Sequence, residues 1–155
     1  MRIYLVDDRG MDGEYAAFLN TYKDRFPPFS LDVFTHWTPL FNAIQQDQPN
    51  LIIADMRFDE ITREQLYGDI NALANTERFC GNTERAEAQI RGMQGLLICR
   101  ALREHHIQIP IILFATLNPV IVDNILKSLA PIRIIKGLIL DDIMRALEDI
   151  LPAQL

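Results

Sequence analysis

Leu51-Ile52-Ile53-Ala54-Asp55 is an unbroken apolar run closed by a carboxylate. Such a run suits a strand buried on both faces of a parallel sheet, and Asp55 marks its C-terminal end. The same grammar recurs on either side. Arg2 to Val6 is another short apolar run, and it closes on Asp7-Asp8. Gly10-Met11-Asp12-Gly13 then turns the chain into an amphipathic stretch from Glu14 to Tyr22. After Pro27-Pro28, Ser30 to Thr35 reads as a strand, and Thr38 is expected to cap a helix with Pro39 at its first position, ending near Gln46. Downstream, Gly95 to Glu104 has helical periodicity and Pro110 opens the strand Ile111 to Ala115. Asn118-Pro119 starts a helix, Ile132-Arg133-Ile134-Ile135 makes a fifth strand, and Leu140 to Leu151 supplies a last amphipathic helix. Strand and helix alternate five times, which predicts an α/β fold: a doubly wound, five-stranded parallel sheet with helices on both faces.

One stretch departs from the alternation. Residues 58–91 are of mixed charge and hold a helix-like piece, Thr62 to Asn75, and a polar loop at Gly81-Asn82. This is too long for an ordinary connection and is read as a helical insertion after strand three, within a single domain spanning 1–155. Ile61, Leu66, Ile70 and Leu73 form an apolar stripe on that helix, which must cover the domain or meet another chain.

Composition bounds the function. A chain of 155 residues that is 49% hydrophobic closes one sizeable core. Its net charge of −6 argues against a nucleic-acid or anionic-membrane surface. No leader-like or membrane-spanning apolar run stands out, so a cytoplasmic protein is expected. Cys80 and Cys99 are read as reduced, with Cys99 in the core. His105-His106 is read as a solvated helix end, since adjacent side chains diverge and no third ligand lies near in sequence.

The chemistry is carried by Asp7, Asp8, Asp55, Thr116 and Lys136, all at C-terminal ends of expected strands, the edge where open α/β sheets bind ligands. Three carboxylates brought within about 4 Å would repel by roughly 4 kcal/mol per pair at an effective dielectric near 20, so a cation must offset them. Oxygen-only ligands of high charge suit Mg²⁺. Lys136 offers a point charge for a phosphoryl group and Thr116 a hydroxyl donor.

These residues resemble the receiver domain of two-component response regulators. Leu5-Val6-Asp7-Asp8 is similar to the family's opening strand and acidic pair, and Leu51 to Arg57 to its phospho-accepting segment. Thr116 after Ile111 to Ala115, and Lys136 after Ile134-Ile135, match its hydroxyl residue and its lysine. The resemblance covers nearly the whole chain outside residues 58–91. It implies the flavodoxin-like strand order 2-1-3-4-5, the order that flavodoxin and a chemotaxis receiver share.

The resemblance also implies phosphotransfer to Asp55 from a histidine kinase or phosphotransfer protein. Asp8, Asp55 and the backbone carbonyl of Arg57 would hold Mg²⁺ directly, and Asp7 would act through water. Lys136 and Thr116 would hold the phosphoryl oxygens. Such a domain is no enzyme beyond its own phosphotransfer and dephosphorylation; it acts on a downstream protein, sometimes as a homodimer, without touching nucleic acid or membrane itself. Gly137 follows Lys136 where the family has Pro, Leu117 follows Thr116 where it has Ala or Gly, and Arg133 stands at its switch aromatic. These departures keep an alternative open, a phosphorylation-independent pseudo-receiver that docks proteins. A haloacid-dehalogenase-type phosphatase fits less well, because Asp7-Asp8-Arg9 lacks the Asp-x-Asp pattern.

Overall fold

The computed structural model describes residues 1–151; residues 152–155, the end of the expected domain, lie outside the described residues. Strands β1 (Arg2–Val6), β2 (Ser30–Phe34), β3 (Leu51–Asp55), β4 (Ile111–Phe114) and β5 (Ile132–Ile135) form one sheet in the order β2-β1-β3-β4-β5. Every neighbouring pair is parallel. The helices are α1 (Glu14–Thr21), α2 (Trp37–Gln46), α3 (Ile70–Ala74), α4 (Thr83–Gly92), α5 (Gln94–Glu104), α6 (Pro119–Ser128) and α7 (Leu140–Ile150).

Alternation along the central strands divides the core. Tyr4, Val6, Ile52, Ala54, Ile111 and Leu113 face a layer that includes Leu40, Ile90, Leu102 and Ile125 from α2, α4, α5 and α6. Ile3, Leu5, Leu51, Ile53, Ile112 and Phe114 face the other layer, with Ala16 and Leu19 of α1 and Ile143 and Leu147 of α7. Successive side chains point to opposite faces, so strands covered on both sides must be apolar throughout. Cys99 is buried in the first layer, where desolvation pushes its thiol up to about 12.

One local expectation is corrected. Helix α2 begins at Trp37 with His36 as its N-cap, so Thr38 lies in the first turn and is not the cap. Pro39 is tolerated there because first-turn amides have no intrahelical partner, and Trp37 gains a ring stack on Phe41 at 4.8 Å. His105 and His106 are exposed at the end of α5, as expected of a solvated helix end, and the His105 ring also rests 4.6 Å from that of Phe41.

The single helix expected over Thr62 to Asn75 does not form. A 3-10 turn at Arg63–Gln65, closed by a capping box between Thr62 and Gln65, is followed by Gly68 at φ +129° and then by α3. That φ is open to glycine and strained for other residues. Asp69 restarts the helix, accepting a hydrogen bond from the Ala72 amide at 2.9 Å. Ile61, Leu66 and Ile70 are buried in the first layer and Leu73 packs against it, so the stripe covers its own domain.

The 56–94 stretch is stitched down by two side chains. Arg91 pairs with Glu87 and donates to the carbonyls of Phe58 and Ile61 at 3.3 and 2.8 Å. Gln94, fully buried, accepts from the Tyr67 amide at 2.6 Å and donates to the Tyr67 carbonyl at 3.0 Å. No helix among the described residues is long and apolar enough to cross a membrane.

Candidate functional site

Strand order reverses between β1 and β3, and this switch point opens a crevice beyond the strands' C-terminal ends. Val6 pairs with Ala54, so Asp7 and Asp55 leave adjacent strands side by side, with Asp8 next to them. Carboxylate oxygens of Asp7, Asp8 and Asp55 lie within 4.8 Å of one another. It is the one such group of His, Cys, Asp or Glu side chains among the described residues.

Each acid is held differently. Asp7 is 2% exposed; its Oδ1 accepts from the Arg9 amide at 3.1 Å, while its buried Oδ2 has no hydrogen-bond partner. Burial pushes the Asp7 carboxyl up to about 6, against the Arg9 amide, with the charges of Asp55 and Asp8 adding to the rise. A Cβ on Gly13 would stand 2.1 Å from Asp7 Oδ2, so glycine keeps that oxygen's surroundings open.

Asp55 is half-buried, and desolvation raises its carboxyl above the ordinary range. The Tyr15 phenol and the Met56 amide work against that rise, donating to Oδ1 at 2.9 and 2.8 Å. Asp8 turns its Oδ2 to the amides of Asp59 and Glu60, at 2.5 and 2.7 Å, and so anchors the loop leaving β3. Gly95 at the start of α5 presses on the same strand end: a Cβ there would be 1.9 Å from the Asp55 carbonyl oxygen.

Three carboxylates, one with a buried oxygen lacking any partner, make a donor set that fits a hard divalent cation. The other expected residues gather at the same edge without touching it. Asp55 pairs with Phe114 and Phe114 with Ile135, so Thr116 and Lys136 follow strand ends level with Asp55. Both are exposed, and neither hydrogen-bonds to the acids among the described residues. Arg57 is exposed and pairs with Asp59 at 2.7 Å. Arg133 pairs with Asp149 at 3.3 Å on the far strand.

Sequence reasoning missed Tyr15, Gly13 and Gly95. A signal for Tyr15 existed. It lies in the first turn of the amphipathic stretch that leaves the acidic pair, on the side of Phe18 and Leu19, which puts its hydroxyl near the strand ends. Its ring packs 4.8 Å from that of Phe114.

No family model and no curated protein matches the chain. Solved structures do. The signal receiver domain assigned to a Luxo repressor protein from Vibrio parahaemolyticus aligns over 99% of this chain and 91% of its own, at a TM-score of 0.64 and 15% identity. RcsB from Salmonella enterica serovar Typhimurium, bound to promoter rprA in the presence of a phosphomimetic, aligns over 97% of this chain and 98% of its own, at 0.57 and 17%. NtrX from Brucella abortus aligns over 99% of this chain and 27% of its own, at 0.60 and 13%. The fold is therefore that of response-regulator receiver domains, with the flavodoxin-like strand order expected from sequence.

Proposed function

We propose that this chain is a phospho-accepting receiver, modified on Asp55 in a Mg²⁺-dependent reaction. One observation carries the reading: Asp7, Asp8 and Asp55 converge at the switch point with Asp7 Oδ2 buried and unpartnered. Asp8, Asp55 and the Arg57 carbonyl would hold Mg²⁺, with Asp7 acting through water. When bound, the ion supplies neutralisation of the charge on the transferring group.

The chain's own residues do the rest. Oδ1 of Asp55 is saturated by Tyr15 and Met56, which leaves Oδ2, free of hydrogen bonds among the described residues, as the nucleophile. Its attack forms an oxygen–phosphorus bond while the bond to the donor breaks, and the donor leaves with the electron pair. The donor is an acyl phosphate or the phosphohistidine of a histidine kinase or phosphotransfer protein. Lys136 and Thr116 take the phosphoryl oxygens. The product is a changed surface read by a downstream protein.

The test is intact-mass measurement after incubation with acetyl phosphate and Mg²⁺. One added phosphoryl group, lost in Asp55→Asn and with chelator, is expected; no addition, or addition elsewhere, overturns the reading. A second reading, a docking module that needs no phosphorylation, is favoured by Asp8, whose Oδ2 is already engaged by two loop amides. That reading expects no phosphoryl addition with any donor.

A further inference from the structure

A cleft of about 750 Å³ opens between α4, α5 and α6, beside Met56 and Arg57. Arg57, Arg78, Arg85 and Arg100 line it, and its lining holds no carboxylate. These are four of the 15 cationic residues of a chain whose net charge is −6, so the remaining surface is more acidic still. Arg57 is engaged by Asp59. Arg78, Arg85 and Arg100 are in no ion pair among the described residues. The guanidinium carbons of Arg78 and Arg85 lie 5.3 and 5.8 Å from the ring centroid of buried Phe79, which holds both charges at the mouth.

The rest of the wall mixes apolar side chains, among them Met93, Leu96 and Leu117, with the neutral polar groups of Gln89, Asn124 and Ser128. Ile121 in the lining is 42% exposed and its neighbour Val120, outside it, is 69% exposed, so an apolar strip runs over the rim along α6. We propose that this cleft docks an acidic, amphipathic segment of a partner protein: carboxylates meet Arg78, Arg85 and Arg100, and apolar side chains cover the α6 strip. A nucleic-acid backbone would match the arginines and leave the strip in water, and its flanks would face an acidic surface. A small anion would fill the cleft and stop short of Val120. The docking goes beyond the phospho-receiver reading, because it uses the unmodified protein and none of the acidic cluster.

The test is selection of a displayed random peptide library on the full, unphosphorylated chain. Synthetic versions of the selected peptides are then titrated by fluorescence anisotropy. Selected peptides should combine Asp or Glu with Leu, Ile or Phe, and Arg85→Glu with Arg100→Glu should weaken them by about tenfold or more. Both arginines are exposed, so the fold should tolerate the change, as melting would verify. Val120→Ser, at the most exposed apolar position, gives a second variant that should weaken binding without altering charge. Binding should also fall as salt rises. No enrichment, basic or uncharged peptides, indifference to both variants, or tighter binding of a single-stranded oligonucleotide or of adenosine triphosphate at the same arginines overturns the proposal. Asp55→Asn should bind the peptides as the parent does, which separates this test from that of phosphorylation.

Discussion

Tyr15 donates its phenolic hydrogen to Oδ1 of Asp55 at 2.9 Å, joining the first helix to the end of the third strand across 40 residues. The Met56 amide donates to the same oxygen at 2.8 Å, so the carboxylate is held from one side and open on the other. Both bonds favour the charged form, the form able to attack phosphorus.

Tyr15→Phe removes the phenol and keeps the ring on Phe114. A hydrogen bond to a charged group contributes roughly 1.5–3 kcal/mol, part of which water replaces at this half-open site. Phosphorylation by acetyl phosphate should slow about three- to tenfold, with the larger loss at acid pH, because the Asp55 carboxyl rises further once its donor is gone. Rates measured from pH 5.5 to 8 would check this, and equal profiles for parent and variant would remove Tyr15 from any positioning role.

Asp7 makes a prediction about stability. Its carboxyl is raised from an ordinary 3.8 to about 6 in the folded chain, so between those values the folded state binds the extra proton. Stability linked to Asp7 is therefore present below about pH 4 and is lost as pH rises through about 6. In chelator at pH 7, Asp7→Asn should stabilise the chain by about 1–3 kcal/mol, and the difference should vanish near pH 4. Mg²⁺ should narrow the gap by stabilising the parent, which keeps all three carboxylates, more than the variant. Urea unfolding across pH decides it: an Asp7→Asn variant no more stable than the parent at pH 7 would contradict a destabilising charge at this position.

Most of this site was legible before the structure, for a simple reason. Asp7, Asp8, Asp55, Thr116 and Lys136 each follow an apolar run, and a parallel sheet delivers all such positions to one edge. The strand pattern carries that information locally. Tyr15 and Gly95 act across elements, and nothing in their own neighbourhoods says which strand end they meet. The 58–91 stretch was legible in its apolar stripe and illegible in its shape. Ile61, Leu66, Ile70 and Leu73 are spaced for a helix, yet Gly68 breaks it, and the fully buried amide of Gln94 takes both backbone groups of Tyr67. A long-range polar clasp of that kind leaves no periodic trace.

Gly95→Ala tests how closely α5 is seated on the acceptor strand. The added methyl would stand 1.9 Å from the Asp55 carbonyl oxygen and 2.8 Å from its carbon, and backbone cannot rotate away as a side chain can. A loss of about 3 kcal/mol is expected, toward the upper end for overpacking. The Asp55 amide signal should also shift in a ¹⁵N spectrum. Unchanged stability together with an unshifted Asp55 amide would mean that α5 has slack at this contact.

Closure entropy changes slowly with loop length, so chain length alone would let a short glycine-containing loop replace 58–91 with the α/β core intact. Burial argues the reverse. Phe58 is fully buried, and Ile61, Leu66, Ile70, Phe79 and Ile90 are each no more than 9% exposed, all in the layer that covers one face of the sheet. Each such side chain contributes roughly 1.5–3 kcal/mol when taken from water, and six together rival the whole net stability of about 5–15 kcal/mol for an ordinary domain. Excision of 58–91 should therefore abolish the cooperative unfolding transition and collapse the dispersion of the sheet's amide signals. A loop-replaced variant that still unfolds cooperatively, within about 2 kcal/mol of the parent, would show that the remaining helices can close that face without it.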